Sequence, residues 1–192
     1  MGIKKIAVIV GSLRKESFSR KISKVLMTLS PKTFEMEEVD ISELSIYNQD
    51  FDDEGNTPSS WTVFRKQMEK YDAILFVTPE YNRSVPALLK NALDIGSRPY
   101  GKNIWDGKPG AVVSVSPGAL SAFGANHHLR QSLVFLNIPT MQQPEAYIGN
   151  VATLFDESGA LTNERTREFL QKFIDAFVIW VETNAPKKSL LK

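Results

Sequence analysis

Lys5-Ile6-Ala7-Val8-Ile9-Val10-Gly11-Ser12-Leu13-Arg14-Lys15-Glu16-Ser17-Phe18-Ser19-Arg20 is the stretch from which the fold can be read. Ile6 to Val10 is an unbroken apolar run, mostly β-branched. Apolar residues without alternation suit a strand buried on both faces, the kind found in parallel sheets. Gly11-Ser12 stops the run. From Ser17 the pattern becomes Phe18, Ile22, Val25, Leu26 and Leu29, the spacing of an amphipathic helix over Ser17–Leu29. Strand, polar loop and helix in that order begin a crossover, so a parallel partner strand is expected further on.

The same reading repeats along the chain. Ala73–Val77 is a second fully apolar strand, stopped by Thr78-Pro79, and Ala111–Val115 is a third. Phe34–Ile41 alternates and reads as a weaker, more exposed strand near an edge. Ile138–Met141 is a short last strand whose extension runs to Ile148. Helical spacing recurs in Trp61, Phe64, Met68 and Tyr71, in Leu88 to Ile95 behind Pro86, in Asn126–Leu136 and in Arg165–Val181. Proline suits a first helical turn because its missing N–H has no intrahelical partner to lose. Residues 42–60 read as a polar connection. Buried strands alternating with helices predict an α/β fold, an open parallel sheet with helices on both faces. Right-handed crossovers and five strands select the flavodoxin-like, doubly wound order 2-1-3-4-5. One domain over residues 1–185 is expected, with 186–192 as a frayed tail.

Composition narrows the function. The 192 residues include no cysteine, which removes disulfides, thiol nucleophiles and cysteine-held metals. The two histidines, His127 and His128, are adjacent and would diverge on a helix; they read as surface or interface residues. A net charge of +1 gives no electrostatic case for nucleic acid. No apolar run approaches the ~18–20 residues of a membrane span, and the N-terminal one is too short for a signal peptide. With no cysteine, the expected location is cytoplasmic. Charge is uneven: Lys4, Lys5, Arg14, Lys15, Arg20, Lys21 and Lys24 face Glu16 alone among residues 1–30, which favours an anionic ligand there. Asp50-Phe51-Asp52-Asp53-Glu54-Gly55 reads as an acidic surface loop, since Trp61 at the twelfth position of a calcium loop cannot ligate.

In such a sheet, ligands lie beyond the C-terminal ends of the strands. Three loops follow those ends. Residues 11–19 combine glycine, three serines and Arg14 at a helix start. Unpaired helix N–H groups, hydroxyls and a guanidinium make a phosphate cradle. Neither Gly-x4-Gly-Lys-Ser/Thr nor Gly-x-Gly-x-x-Gly is present, which disfavours nucleoside triphosphate and dinucleotide sites. Gly-x-Ser-x-Gly is absent too, which disfavours a serine hydrolase. Residues 78–86 form a stiff, proline-bounded loop whose Tyr81 and Asn82 suit a planar, heteroatom-rich ring. Ser116–Gly124 is a small-residue loop that permits close backbone approach.

Gly11-Ser12-Leu13-Arg14 with Ser17 and Ser19, Thr78-Pro79-Glu80-Tyr81-Asn82 with Ser84-Val85-Pro86, Leu89-Lys90-Asn91-Ala92 with Asp94, Gly107-Lys108-Pro109, Ser116, Gly118 and His128-Leu129-Arg130-Gln131 together resemble the NAD(P)H-dependent FMN reductases of flavodoxin-like fold, in the quinone or chromate reductase subgroup. The resemblance covers about residues 5–150. It implies FMN as cofactor and NADPH or NADH as co-substrate, with Ser12, Arg14, Ser17, Phe18 and Ser19 at the FMN phosphate. It places Pro79, Glu80, Tyr81, Asn82 and Arg83 beside the isoalloxazine, and Ser116 and Gly118 against it from the third loop. It also implies ping-pong hydride transfer to quinones, flavins, chromate or azo compounds, and a homodimer or homotetramer. No side chain is expected to act as nucleophile or acid. Two positions depart from the pattern: Arg83 stands where an aromatic is common, and Ser121-Ala122 where Gly-Gly is frequent. The alternative is a flavodoxin-type FMN electron carrier without NAD(P)H activity, disfavoured because flavodoxins are commonly acidic.

Overall fold

The computed structural model describes residues 2–185. The tail at 186–192 lies outside the described residues. Five strands pair in parallel: β1 (Lys4–Val10), β2 (Phe34–Glu38), β3 (Ala73–Thr78), β4 (Gly110–Val115) and β5 (Ala146–Ile148), in spatial order 2-1-3-4-5. Six helices accompany them among the described residues: α1 (Phe18–Leu29), α2 (Asp50–Asp53), α3 (Ser59–Met68), α4 (Ala87–Gly96), α5 (Phe123–Phe135) and α6 (Glu164–Asn184), with a 3-10 turn at Val151–Leu154.

Successive strand residues point to opposite faces, so each strand feeds two cores. Ile6, Val8 and Val10 join Leu75, Val77 and Val113 under α1 and α6. Ala7 and Ile9 join Ile74, Phe76 and Val112 under α3, α4 and α5. All six residues of β3 and all six of β4 are buried, as continuous apolar runs require. At the edge, only Phe34 of β2 is buried, because one flank of that strand has no neighbour.

Three boundaries differ from expectation. The last strand is not Ile138–Met141. Thr140 makes one bridge to Gly110, then the chain leaves the sheet, and β5 forms at Ala146–Ile148 against Val113–Val115. Pro139 and Pro144 bracket the gap and cannot donate to a ladder. β2 ends at Glu38 instead of Ile41. Val39 still donates to Val8 O at 2.9 Å, and Val39 and Ile41 turn inward to the second core. α5 starts three residues early, at Phe123.

The polar connection at 42–60 contains α2, which is held for an electrostatic reason. Arg65 on α3 donates from both terminal nitrogens to Asp52, at 2.8 and 2.7 Å, and from Nε to Ile95 O at 2.9 Å. Asp52 is therefore not surface acid: its side chain is 3% exposed. The Arg65 hydrogen bonds hold its carboxyl below the ordinary value of 3.8. A carboxyl depressed by folding contributes stability above its unfolded value and loses it as pH falls through the folded one. Asp52→Asn should therefore cost about 2 kcal/mol at pH 7. Urea unfolding at pH 7 and below pH 4 checks this. The gap between variant and unaltered chain should shrink in acid; a constant gap would show that charge is not the cause.

Candidate functional site

The C-terminal ends of β1, β3 and β4 lie side by side and send out the three loops. They converge on a cavity of about 210 Å3. Ser12, Arg14, Ser17, Phe18 and Ser19 line it from the first loop, Pro79, Glu80 and Tyr81 from the second, and Val115, Ser116 and Pro117 from the third. Contact between the first two loops depends on a glycine. A Cβ on Gly11 would lie 3.1 Å from Thr78 Oγ1 and 3.3 Å from both Leu89 and Pro79.

Ser17 is the N-cap of α1: its Oγ accepts from Arg20 N at 3.2 Å, and its φ and ψ of −70° and 117° are those of a cap. Ser12, Ser17 and Ser19 are all buried. No acidic residue occupies the first turn of α1. Glu16 is drawn off by Lys21 at 3.0 Å. Among the described residues, neither the Arg14 guanidinium nor the Ser19 hydroxyl has a partner, and both line the cavity. A helix N-terminus, hydroxyls and an unpaired guanidinium with no free carboxylate nearby fit a phosphate monoester. The donor set therefore suits the phosphate end of FMN.

The second loop is a tight turn. Tyr81 N donates to Ser84 O at 3.1 Å and Ser84 N to Tyr81 O at 3.0 Å. Asn82 and Arg83 between them are left-handed, with φ of 51° and 65°. Neither lines the cavity: Asn82 is exposed, and Arg83 reaches Glu80 Oε1 at 3.3 Å with 72% of its side chain exposed. In the third loop, Gly118 N donates to Ser116 Oγ at 3.1 Å, and Gly118 likewise stays off the cavity wall. Of the twelve residues expected at the site, the structure brings nine onto one cavity and leaves Asn82, Arg83 and Gly118 adjacent to it in sequence.

Other residues matter beyond those twelve, and Val115, Pro117 and Gly149 among them were not singled out from the sequence. Val115 and Pro117 complete the third wall. A Cβ on Gly149 would overlap the Ser121 hydroxyl, so the third loop needs that glycine as a neighbour. Ser121 and Ala122 are both left-handed, with φ of 56° and 57°. This is the backbone for which Gly-Gly is the unstrained choice. Asn91 ties α4 to the 42–60 connection, accepting from Tyr47 N at 2.8 Å and donating to Leu44 O and Ser45 O. His128 Nδ1 and Ser84 Oγ are hydrogen-bonded at 3.0 Å, as are His127 Nε2 and the Tyr147 hydroxyl. Burial, with Glu145 beside it, pushes the Tyr147 phenol up to about 12, so it stays protonated at ordinary pH. A larger groove of about 730 Å3 runs between α4 and α5, with Ser84, Arg98, His128 and Phe135 on its walls.

A doubly wound parallel sheet with a phosphate cradle at its first strand end defines a mononucleotide-binding α/β protein of flavodoxin-like fold. Comparison with known proteins narrows the class. A profile of the NADPH-dependent FMN reductase family matches residues 4–153. A quinone reductase of Pseudomonas putida is 58% identical over 179 residues, 93% of this chain and 95% of the relative. A 2-hydroxy-1,4-benzoquinone reductase of a Burkholderia species is 45% identical over 177 residues, 92% of this chain and 96% of the relative. Among solved structures, FerB, a flavoenzyme NAD(P)H:(acceptor) oxidoreductase of Paracoccus denitrificans, superposes with a TM-score of 0.89 at 42% identity, covering 96% of this chain and all of that one. The chain belongs to the NADPH-dependent FMN reductase family and is an FMN- and NAD(P)H-using oxidoreductase.

Because Ser17 caps α1, it has a structural function independent of any ligand. Ser17→Ala should lower the stability of the apoprotein by about 1 kcal/mol. Denaturant unfolding without flavin reads this directly. Unchanged stability would mean that the hydroxyl serves the ligand alone.

Proposed function

We propose that this enzyme binds one FMN per subunit in the 210 Å3 cavity and passes reducing equivalents from NADPH or NADH to quinones. The observation that carries the reading is the unpaired Arg14 guanidinium beside the capped start of α1, in a cavity walled by all three strand-end loops. Ser12, Ser17 and Ser19, with Arg14 and the first-turn N–H groups of α1, hold the phosphate; Phe18 walls that end. Pro79, Glu80, Tyr81 and Ser116 border the ring, with Asn82, Arg83 and Gly118 shaping the loops behind them. When bound, FMN supplies two-electron transfer between a nicotinamide donor and an oxidised acceptor.

No proton-transferring side chain is required, and the residues at the cavity bind and orient. The quinone acceptor is supported by the names of the two sequence relatives. Free flavins, chromate and azo compounds are further candidate acceptors for the same opening. Donor and acceptor use that opening by turns, which is a ping-pong order. A homodimer or homotetramer accords with the exposed Val134, Phe135 and Tyr100, at 76%, 90% and 91% exposure. No helix among the described residues is long and apolar enough to cross a membrane. We place the enzyme in the cytoplasm.

Anaerobic mixing of the FMN-loaded enzyme with NADH or NADPH should bleach the flavin absorbance, and added quinone should restore it. No bleaching with either nucleotide would favour an electron carrier. Initial rates at several quinone concentrations should give parallel double-reciprocal lines; intersecting lines would mean separate sites.

Arg14→Ala should weaken FMN roughly 10- to 150-fold, the equivalent of about 1.5–3 kcal/mol for a charge-assisted contact. Riboflavin, which lacks the phosphate, should bind both forms equally. Equilibrium titration of the apoprotein with each ligand checks this. Equal losses for both would show that Arg14 shapes the loop instead of reading the phosphate.

A further inference from the structure

α5 begins without a cap of its own. Its N-cap position is Ala122, left-handed and without a side-chain acceptor, and no acidic residue stands in its first turn. First-turn N–H groups have no intrahelical acceptor and need one from elsewhere. The acceptor comes from the second loop: Ala125 N donates to Glu80 Oε2 at 3.0 Å, across 45 residues of sequence. A carboxylate at a helix N-terminus is favoured by the dipole as well as by the hydrogen bond.

Glycine makes the approach possible. A Cβ on Gly124 would lie 2.9 Å from Glu80 Oε2 and 2.8 Å from Arg83 O. The same turn is tied to α5 a second time, by the Ser84–His128 hydrogen bond at 3.0 Å. The Tyr81–Ser84 turn, with two left-handed residues at its tip, is thus clamped to one helix from both sides. The Glu80–Arg83 pair adds little, because Arg83 is largely in solvent. Only 11% of the Glu80 side chain is exposed, so the latch is shielded from water, yet Glu80 and Tyr81 also wall the cavity.

We propose that Glu80 is a positioning residue. Its carboxylate latches the ring-side loop to the start of α5 and so sets the place of Pro79 to Tyr81 beside the isoalloxazine. It acts through the loop, with no proton transfer and no contact with the phosphate. This rests on the FMN reading above and adds to it the group that holds the ring side in place.

The test uses the full chain as apoprotein, titrated with FMN and with riboflavin, alongside visible circular dichroism of the bound flavin and thermal unfolding of the apoprotein. Glu80→Ala should weaken both flavins alike, by about 10-fold (~1.4 kcal/mol), and change the dichroism of the bound ring. Glu80→Gln keeps an oxygen that can accept from Ala125 N and should restore most of the affinity. Gly124→Ala should reproduce the Glu80→Ala pattern with Glu80 in place, and it serves if Glu80→Ala fails to fold. Unchanged affinity and dichroism in Glu80→Ala, or in Gly124→Ala should that variant stand in, would overturn the proposal, even with a lower melting temperature, since a purely structural cap gives that result. A loss confined to FMN, or a Gln variant as weak as the Ala one, would overturn it too. No flavin binding by the unaltered chain would overturn the FMN reading and this proposal with it. Normal binding there with unaffected variants overturns this proposal alone.

Discussion

A parallel strand can pair with its successor only after the chain has crossed back over the sheet. Every strand therefore ends at the same edge, and every such end opens into a loop there. Three adjacent strands, β1, β3 and β4, are buried on both faces. Their loops have no room above or below the sheet and must meet beyond its end. The order 2-1-3-4-5 makes the crossover from β1 go one way and the next go the other, which opens a crevice at β1 and β3. The 210 Å3 cavity lies there because the loops of these buried strands meet beyond the sheet's end.

Closeness of the loops brings its own requirements. Gly11 lets the first loop lie against Thr78 and Pro79, and Gly124 lets the second lie against α5. Where glycine is absent, the backbone is strained instead. Ser121 and Ala122 both adopt the left-handed conformation, which costs an L-residue about 1–2 kcal/mol each. Local hydrogen bonds offset this: Ser114 Oγ donates to Ser121 O at 2.9 Å, and Ser121 N to Gly118 O at 3.2 Å. Strain concentrated in a loop that walls a ligand cavity is the usual place for it.

The sheet was legible because burial on both faces writes itself as continuous apolar runs. Ile6–Val10, Ala73–Val77 and Ala111–Val115 can hardly be anything else. β5 was misplaced because it is three residues long and Ile138–Met141 looks more strand-like. What decides between them is pairing with Val113–Val115, a long-range fact that local pattern does not carry. Asp52 looked like solvated acid because its partner, Arg65, lies 13 residues on and on another helix. The donor set of the first loop was legible for the opposite reason. Serines, an arginine and a helix start within nine residues are local, and their chemistry is in the side chains.

The side of the cavity formed by the second and third loops uses a different means of control. Asn82 and Arg83 contribute their backbone angles, not their side chains, to the turn that carries Tyr81. A position valued for its φ tolerates a change of side chain better than one valued for its donors. This accounts for Arg83 standing where an aromatic is common: its guanidinium points largely to solvent while the turn closes as before. The same logic bears on Gly118, whose absent Cβ would meet only Ser116 Oγ at an ordinary 3.6 Å. The glycines the fold depends on at this end are Gly124 and Gly149, each closed in by a side chain from another loop. Side-chain type therefore marks the first loop, whereas the second and third loops are set by backbone conformation and by contacts between distant loops, which residue identities alone do not display.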